Sequence, residues 1–306
     1  MTEPDAAPHF ELGLSLAGGV SCGAWTVGVL DFIVEALDAW QDGLERGDPD
    51  APDHQVRLSA ICGASSGALS AAILTTVLAH RLPAVRSRTP LPIAALNPLY
   101  DSWVNMTGLH DLLGSGDAHA GCPCSLLDPT PVERAARKAV GHGLPVRERP
   151  RRWLSDPLHL LMSVADLQGL RFPGAADGRP APVLTDHAAM LRFAVFGAGA
   201  GASAPLRSDE TPVDLRPEAA DPAGRWSAWG QELSTVALAS SAVPLALPPR
   251  RLSRPWSHFV PRLEPQPACC AEPRGVLPME PIRTQSATEV RTFDGADGGL
   301  VDNTAL

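Results

Sequence analysis

The chain contains 306 residues, of which 44% are hydrophobic and 19% are charged, and its formal net charge is -9. This composition is typical of a globular protein with a substantial core, and the acidic balance argues against nucleic-acid binding and against attraction to anionic lipid. The six cysteines are too few for a disulfide scaffold and lack zinc-binding spacing, so we expect no metal and no other cofactor.

Two further features bear on the location of the protein. Residues 1–11 are acidic and lack the apolar stretch that a secretion signal carries. The apolar runs of the chain are shorter than the roughly 20 residues needed to span a bilayer. We therefore expect a cytoplasmic protein whose contact with membranes, where it occurs, is peripheral.

Residues 10–78 predict two successive units of strand, turn and helix. Residues 10–16 alternate as a strand does, 17–23 form a glycine-rich turn, and 24–40 have apolar residues at helical spacing. Residues 56–62 then predict a second strand and 68–78 a second helix. Two such units indicate an α/β fold with a largely parallel sheet.

The remainder of the chain gives weaker patterns, and we expect one domain over residues 1–306. Residues 197–280 are rich in glycine, alanine and proline and predict an irregular, cap-like excursion. The other predicted elements are helices over 99–113, 131–140 and 233–241, strands over 158–170, 191–196 and 290–293, a basic loop over 147–152, and a tight turn over 294–303.

A serine lies between the second strand and the second helix, in Gly63-Ala64-Ser65-Ser66-Gly67. Gly-x-Ser-x-Gly in this setting is the pattern of a nucleophile elbow, a sharp turn that presents the serine hydroxyl above the sheet. Gly63 and Gly67 relieve the crowding that side chains would cause there. The alternative is a small-residue turn without chemistry.

Acyl transfer by a serine also needs oxyanion donors and a base. Gly18, Gly19 and Val20 follow the first strand and precede a helix, so their backbone N–H groups are candidate donors. For the base, Asp297 lies in a glycine turn after a predicted strand. The alternative is a histidine triad of Ser65 and His258 with an earlier acid, Asp186 or Asp214.

Four blocks in order resemble the patatin-like phospholipases, including the bacterial patatin-like proteins. They are Gly18-Gly19 after a strand, the pentapeptide around Ser65, residues 239–244 followed by Pro248-Pro249, and Asp297-Gly298-Gly299 near an asparagine. The resemblance implies a three-layer α/β fold with a central, mostly parallel sheet flanked by helices. It also implies a serine lipid acyl hydrolase in which Ser65 forms an acyl-enzyme, Asp297 acts as base without histidine, and Gly18, Gly19 and Val20 form the oxyanion hole.

The chain also departs from the family pattern. Val20 and Cys22 stand where the family has a third glycine and a basic residue, and Ala17 stands where many members have aspartate. These departures put phospholipid preference in doubt and leave a non-catalytic, lipid-binding scaffold as an alternative. The chain ends seven residues after Gly299, which indicates either a segment of a longer protein or an unusually bare edge of the site.

The expected partner is a lipid or another ester, and the oligomeric state is not predicted. Peripheral membrane contact requires an apolar lip rather than charge attraction. The candidates for such a lip are Trp103, Trp226, Trp229 and Trp256, although buried tryptophans are the more common case.

Overall fold

A mixed sheet of eight strands carries the candidate site. The computed structural model describes residues 9–19, 22–52, 54–114, 125–176, 179–202, 205–216, 228–259, 262–264, 277–279 and 290–304. The strands are β1 (His9–Leu16), β2 (Gln55–Gly63), β3 (Arg151–Ala176), β4 (Arg179–Phe196), β5 (Gly199–Ala202), β6 (Glu210–Asp214), β7 (Arg250–Pro255), β8 (Arg262–Glu264), β9 (Leu277–Met279) and β10 (Val290–Asp297). The short strands β8 and β9 pair only with each other, as a separate ribbon.

Helices flank this sheet. They are α1 (Gly23–Arg46), α2 (Ser66–Val77), α3 (Leu91–Ala94), α4 (Pro98–Tyr100), α5 (Leu109–Leu112), α6 (Thr130–Val140) and α7 (Ala228–Ser240). Helix α2 contacts α1, α6 and α7 as well as the sheet, and it is buried from Gly67 to Val77. Its sequence is apolar nearly all round, as expected of a helix enclosed by other elements. Among the described residues, no helix combines the length and the hydropathy needed to cross a membrane.

The predicted α/β fold is confirmed, and its pairing is mixed with parallel pairs in the majority. The pairs β1–β2, β2–β3, β3–β5 and β4–β6 are parallel, whereas β3–β4, β3–β10 and β10–β7 are antiparallel. The two strand–turn–helix units lie where the sequence predicts them, as β1–α1 and β2–α2. Both units therefore direct the carboxyl ends of their strands to the same edge of the sheet.

The long strand β3 brings β2 and β10 end to end. Strand β4 covers one side of β3 without interruption from Leu158 to Ala165. The partners that meet β3 at Met162 and Val164 must therefore lie on the opposite side, where β2 ends with the pair Gly63–Met162 and β10 ends with the pair Asp297–Val164. Because β2 runs parallel to β3 and β10 runs antiparallel, their carboxyl ends face each other there. The segments that follow these two ends are thus forced together.

A buried arginine corrects the predicted basic loop over residues 147–152. Arg151 is 1% exposed and is the first residue of β3. Its Nε and Nη2 atoms donate to the carboxylate of Asp38 on α1 at 2.9 and 2.8 Å, and Trp153 Nε1 donates to the same carboxylate at 2.9 Å. A guanidinium that is paired in this way can be buried. The sequence predicts an exposed loop here because it shows the charge of Arg151 but not its partner.

The region over 197–280 is less irregular than predicted in its described parts. It contains α7 and five strands, of which β5, β6 and β7 belong to the main sheet and β8 and β9 form the separate ribbon. Strands β5 and β6 are only four and five residues long, so they carry too little alternation to be recognised. The helix predicted over 99–113 is instead divided, because Gly108 is extended and separates a helical segment that ends at Asn105 from α5.

Candidate active site

The hydroxyl of Ser65 donates a hydrogen bond to Asp297. The distance from Ser65 Oγ to Asp297 Oδ2 is 2.8 Å, although the two residues are 232 positions apart. Ser65 follows β2 after one intervening residue, Ala64, and Asp297 is the last residue of β10. The end-to-end arrangement of these strands beside β3 therefore places a potential nucleophile in direct contact with a potential base.

The backbone of Ser65 has the conformation of an elbow. Its φ is 53° and its ψ is -128°, a conformation that costs a residue other than glycine about 1–3 kcal/mol. A Cβ on Gly63 would lie 2.7 Å from Ala68 Cα, and one on Gly67 would lie 2.0 Å from the Leu16 carbonyl oxygen. Side chains are thus excluded at both flanking glycines, as the sequence predicts. Ser65 itself is only partly buried.

The carboxylate of Asp297 is held by its own turn. It is 6% exposed, and its Oδ1 atom accepts from the Gly299 N–H at 2.7 Å while Oδ2 faces Ser65. Burial raises the pKa of Asp297, and the hydrogen bonds from Ser65 and Gly299 oppose this only in part. A raised pKa makes the carboxylate a stronger base than an aspartate in water.

The backbone donors predicted for the oxyanion hole are already engaged. The Gly18 N–H donates to Asn303 Oδ1 at 3.0 Å, and the Gly19 N–H donates to Ser66 Oγ at 3.0 Å. Val20 lies outside the described residues. The Gly18–Gly19 turn is therefore next to the serine, but its described N–H groups point to protein acceptors.

Gly18 and Asn303 lie close against the Ser65 side chain. A Cβ on Gly18 would lie 2.5 Å from Ser65 Cβ, 3.2 Å from Ser65 Oγ and 2.6 Å from Asn303 Oδ1. A Cβ on Gly299 would lie 2.9 Å from both Asn303 Oδ1 and Asp297 Oδ1. The carboxamide oxygen of Asn303 thus occupies the space between the glycine turn and the Ser65–Asp297 pair.

The predicted histidine triad is not assembled. The charged groups that affect the pKa of His258 are Arg254, Asp209 and Glu232, and they include neither Asp186 nor Asp214. Asp214 pairs with Arg216, and Asp186 accepts from the Ala188 N–H in the β3–β4 hairpin. Ser65 instead contacts Asp297 without an intervening imidazole.

The tryptophans predicted for an apolar lip are mostly packed inside. Trp256 is part of the core, Trp103 and Trp229 pack against it, and Trp226 lies outside the described residues. Trp103 lies over α1, so a Cβ on Gly23 would be 2.1 Å from its ring. Among the tryptophans that the structure describes, the exposed one is Trp25, near the start of α1 and 74% exposed, which was not predicted as part of a lip.

The sequence analysis also assigned no role to the end of α7 or to the asparagine after Gly299. Ser240 and Ser241 contact the backbone of Ser65, and Asn303 contacts Gly18. All three lie in or near blocks that resemble the family pattern, which is the signal that could have identified them. Periodicity could not have done so, because none of these contacts is local in sequence.

Comparison with known proteins agrees with this geometry. A model of the patatin-like phospholipase family matches residues 14–306. An uncharacterized protein of Sinorhizobium fredii (strain NBRC 101917 / NGR234), y4iI, is 30% identical over 322 aligned residues, which cover 97% of this chain and 44% of that protein. The chain thus spans less than half the length of this curated relative. With the family match covering nearly the whole chain, the protein belongs to the patatin-like phospholipase family.

Proposed function

We propose that the chain is a serine lipid acyl hydrolase that uses a Ser65–Asp297 dyad. The observation that carries the proposal is the hydrogen bond of 2.8 Å from Ser65 Oγ to Asp297 Oδ2. A serine hydroxyl is a weak nucleophile until a base within hydrogen-bond reach takes its proton. Family membership supports a lipid ester as substrate.

The reaction proceeds in two transfers. Ser65 Oγ attacks the ester carbonyl carbon while its proton passes to Asp297 Oδ2. The bond from the carbonyl carbon to the leaving alkoxide then breaks, and Asp297 returns the proton to that alkoxide. Water then attacks the carbonyl carbon of the acyl-serine and gives a proton to Asp297. The bond from that carbon to Ser65 Oγ breaks, Asp297 returns the proton to Oγ, and the fatty acid leaves.

Stabilisation of the developing oxyanion requires a rearrangement at Gly18. Its N–H is adjacent to Ser65, but the N–H is engaged by Asn303 Oδ1. In the proposed reaction, the substrate carbonyl oxygen replaces Asn303 Oδ1 at this donor. The start of α2 directly after Ser65 adds a favourable dipole for the same charge.

One observation favours a second candidate, a non-catalytic lipid-binding scaffold. The N–H groups of Gly18 and Gly19 both have protein acceptors, so neither described donor is free for an oxyanion. A scaffold of this kind binds lipid without forming an acyl-serine. The two candidates therefore differ in whether Ser65 is reactive.

The deciding experiment is covalent labelling with a fluorophosphonate together with hydrolysis of short-chain p-nitrophenyl esters. We expect labelling and hydrolysis in the unmodified protein and neither in Ser65→Ala. Ser87→Ala, at an exposed loop serine, is the matched control and should behave as the unmodified protein. Hydrolysis that persists in Ser65→Ala would refute the proposal, and lipid binding without labelling would support the scaffold.

A further inference from the structure

The end of α7 touches both members of the proposed dyad. Ser240 Oγ accepts a hydrogen bond from the Ser65 N–H at 3.0 Å. Ser241 Oγ lies 2.8 Å from the Ser65 carbonyl oxygen and 2.9 Å from the Ala237 carbonyl oxygen, and its single proton is shared between these two acceptors. The carbonyl oxygen of Ala242 accepts from the Asp297 N–H at 3.0 Å. Three consecutive residues therefore hold the backbone of the nucleophile and the backbone of the base.

Among the described residues, the acceptor for the Ser65 N–H comes from Ser240 rather than from β2 or α2. The Ser65 carbonyl oxygen also accepts from the Ala68 and Leu69 N–H groups of α2, at 3.0 and 3.3 Å, and Ser241 adds a further donor. Ser65 lies between the last residue of β2 and the first residue of α2, and its positive φ turns its N–H away from both hydrogen-bond ladders. Ser240 is 0% exposed, so the acceptor that it offers is not replaced by bulk water when it is removed. A buried donor without an acceptor is unfavourable, and rotation of the peptide is the available relief.

Rotation of this peptide would affect chemistry before it affected the fold. The direction of the Ser65 Cα–Cβ bond depends on φ and ψ, and the hydrogen bond to Asp297 Oδ2 depends on that direction. Asp297 is held independently, by its N–H to Ala242 and by the pairing of β10 with β3. A change at Ser240 or Ser241 therefore shifts one partner of the dyad relative to the other.

We propose that Ser240 and Ser241 are positioning residues that hold the strained peptide of Ser65 so that its hydroxyl is aimed at Asp297. They act through the backbone of Ser65. This inference rests on the proposed dyad and adds that the end of α7 keeps the Ser65 hydroxyl aligned with the Asp297 carboxylate. Helix α7 thereby serves as a support for the elbow, in addition to its packing role against α2 and α6.

The test compares Ser240→Ala and Ser241→Ala with a control on the same helix. Ser234 is buried in α7, and its hydroxyl has no hydrogen-bond partner among the described residues, so Ser234→Ala measures loss of a buried hydroxyl alone. We expect kcat and the fluorophosphonate labelling rate of the two test variants to fall about 10- to 100-fold with KM changed less than about twofold, as for misplacement of a reacting group. Ser234→Ala should keep the original values, and Ser241→Thr, which retains the hydroxyl, should restore most of the rate.

A second readout does not depend on turnover. The Ser65 hydroxyl lowers the pKa of Asp297 through its hydrogen bond, so loss of that bond should raise this pKa further. Carbon-13 NMR of the Asp297 carboxyl should therefore show the same upward displacement in Ser240→Ala, Ser241→Ala and Ser65→Ala, and none in Ser234→Ala.

The outcomes separate the two proposals. Ser65-dependent hydrolysis that is unchanged in Ser240→Ala and Ser241→Ala would overturn the positioning role and leave the proposed function intact. Absence of Ser65-dependent hydrolysis in the unmodified protein would overturn the proposed function. In that case the NMR measurement still decides the positioning role, because an unchanged Asp297 pKa in both variants would refute it.

Discussion

Replacement of Asp297 with Asn should lower the catalytic activity and raise the stability at neutral pH. The substitution keeps the shape of the side chain and an oxygen that can accept from the Gly299 N–H, which now donates to Oδ1 at 2.7 Å. It removes the carboxylate that accepts from Ser65 Oγ at 2.8 Å. An amide cannot take the proton of the serine at neutral pH, so the base is lost while the turn is retained.

The expected loss of activity follows because, in the described part of the chain, the base that Ser65 Oγ contacts is Asp297. A positioned general base contributes about 10²–10⁴-fold, or about 2.7–5.4 kcal/mol of the activation barrier. We therefore expect kcat for p-nitrophenyl esters to fall by at least about 10²-fold. Initial rates measured on a dilution series of ester give kcat and KM separately.

The free energy of unfolding of Asp297→Asn should be higher than that of the unmodified protein at neutral pH. Burial raises the pKa of Asp297 above the value of 3.8 that the unfolded chain has, so the ionised side chain opposes folding at neutral pH. This penalty disappears below pH 3.8, where the carboxyl is neutral in both states. Urea unfolding should therefore find Asp297→Asn more stable than the unmodified protein at pH 7, with the difference vanishing in acid.

The control is Asp294→Asn, the same substitution three residues earlier on β10. Asp294 bonds to Gln168 and Arg251 rather than to Ser65, so its loss should leave kcat unchanged. The reasoning is refuted if Asp297→Asn hydrolyses esters at the original rate. It is also refuted if the variant is less stable at pH 7 while Asp294→Asn is not.

Three further predictions concern pH and packing. Burial raises the pKa of Asp297, so the midpoint of the acidic limb of the kcat/KM pH profile should lie above the ordinary aspartate value of 3.8. A midpoint at or below that value would contradict the assignment of Asp297 as the base. Gly67→Ala should lower the melting temperature or prevent folding, because its Cβ would lie 2.0 Å from the Leu16 carbonyl oxygen. Gly28→Ala is the control, because a Cβ there would lie in open space on α1, and it should stabilise the protein by up to about 1 kcal/mol. Burial lowers the pKa of His142 from 6.5 to about 4, so the free energy of unfolding should fall by up to about 3 kcal/mol as the pH drops from 6.5 to 4, and urea titrations of His142→Phe should show a smaller fall.

The elbow could be predicted from the sequence because its determinants are local. Gly63, Ser65 and Gly67 lie within five residues, and the strand before them and the helix after them have clear patterns. The same holds for the strand and glycine turn at Asp297. The residues of the candidate site that could be found in this way are those whose conformation depends on their immediate neighbours.

The contacts between these segments could not be predicted from periodicity. The meeting of Ser65 with Asp297 depends on which side of β3 each strand takes, and that is settled by β4. The hydroxyls of Ser240 and Ser241 lie at the end of α7, and only the tertiary packing of that helix brings them close to Ser65. Arg151 was placed in a loop because its charge was counted without the partner, Asp38, that makes its burial possible.

The hydrogen-bond register along β3 fixes the distance between the ends of its neighbours β2 and β10. Met162 marks the end of one neighbour and Val164 the end of the other, with Ser163 alone between them. A slip of β10 by a single residue would move its terminal carboxylate by about 3.4 Å and turn it to the opposite face of the sheet. Insertions in the loops that lead to these strands leave that spacing untouched, whereas one residue added within the ladder would separate the Ser65 hydroxyl from the Asp297 carboxylate.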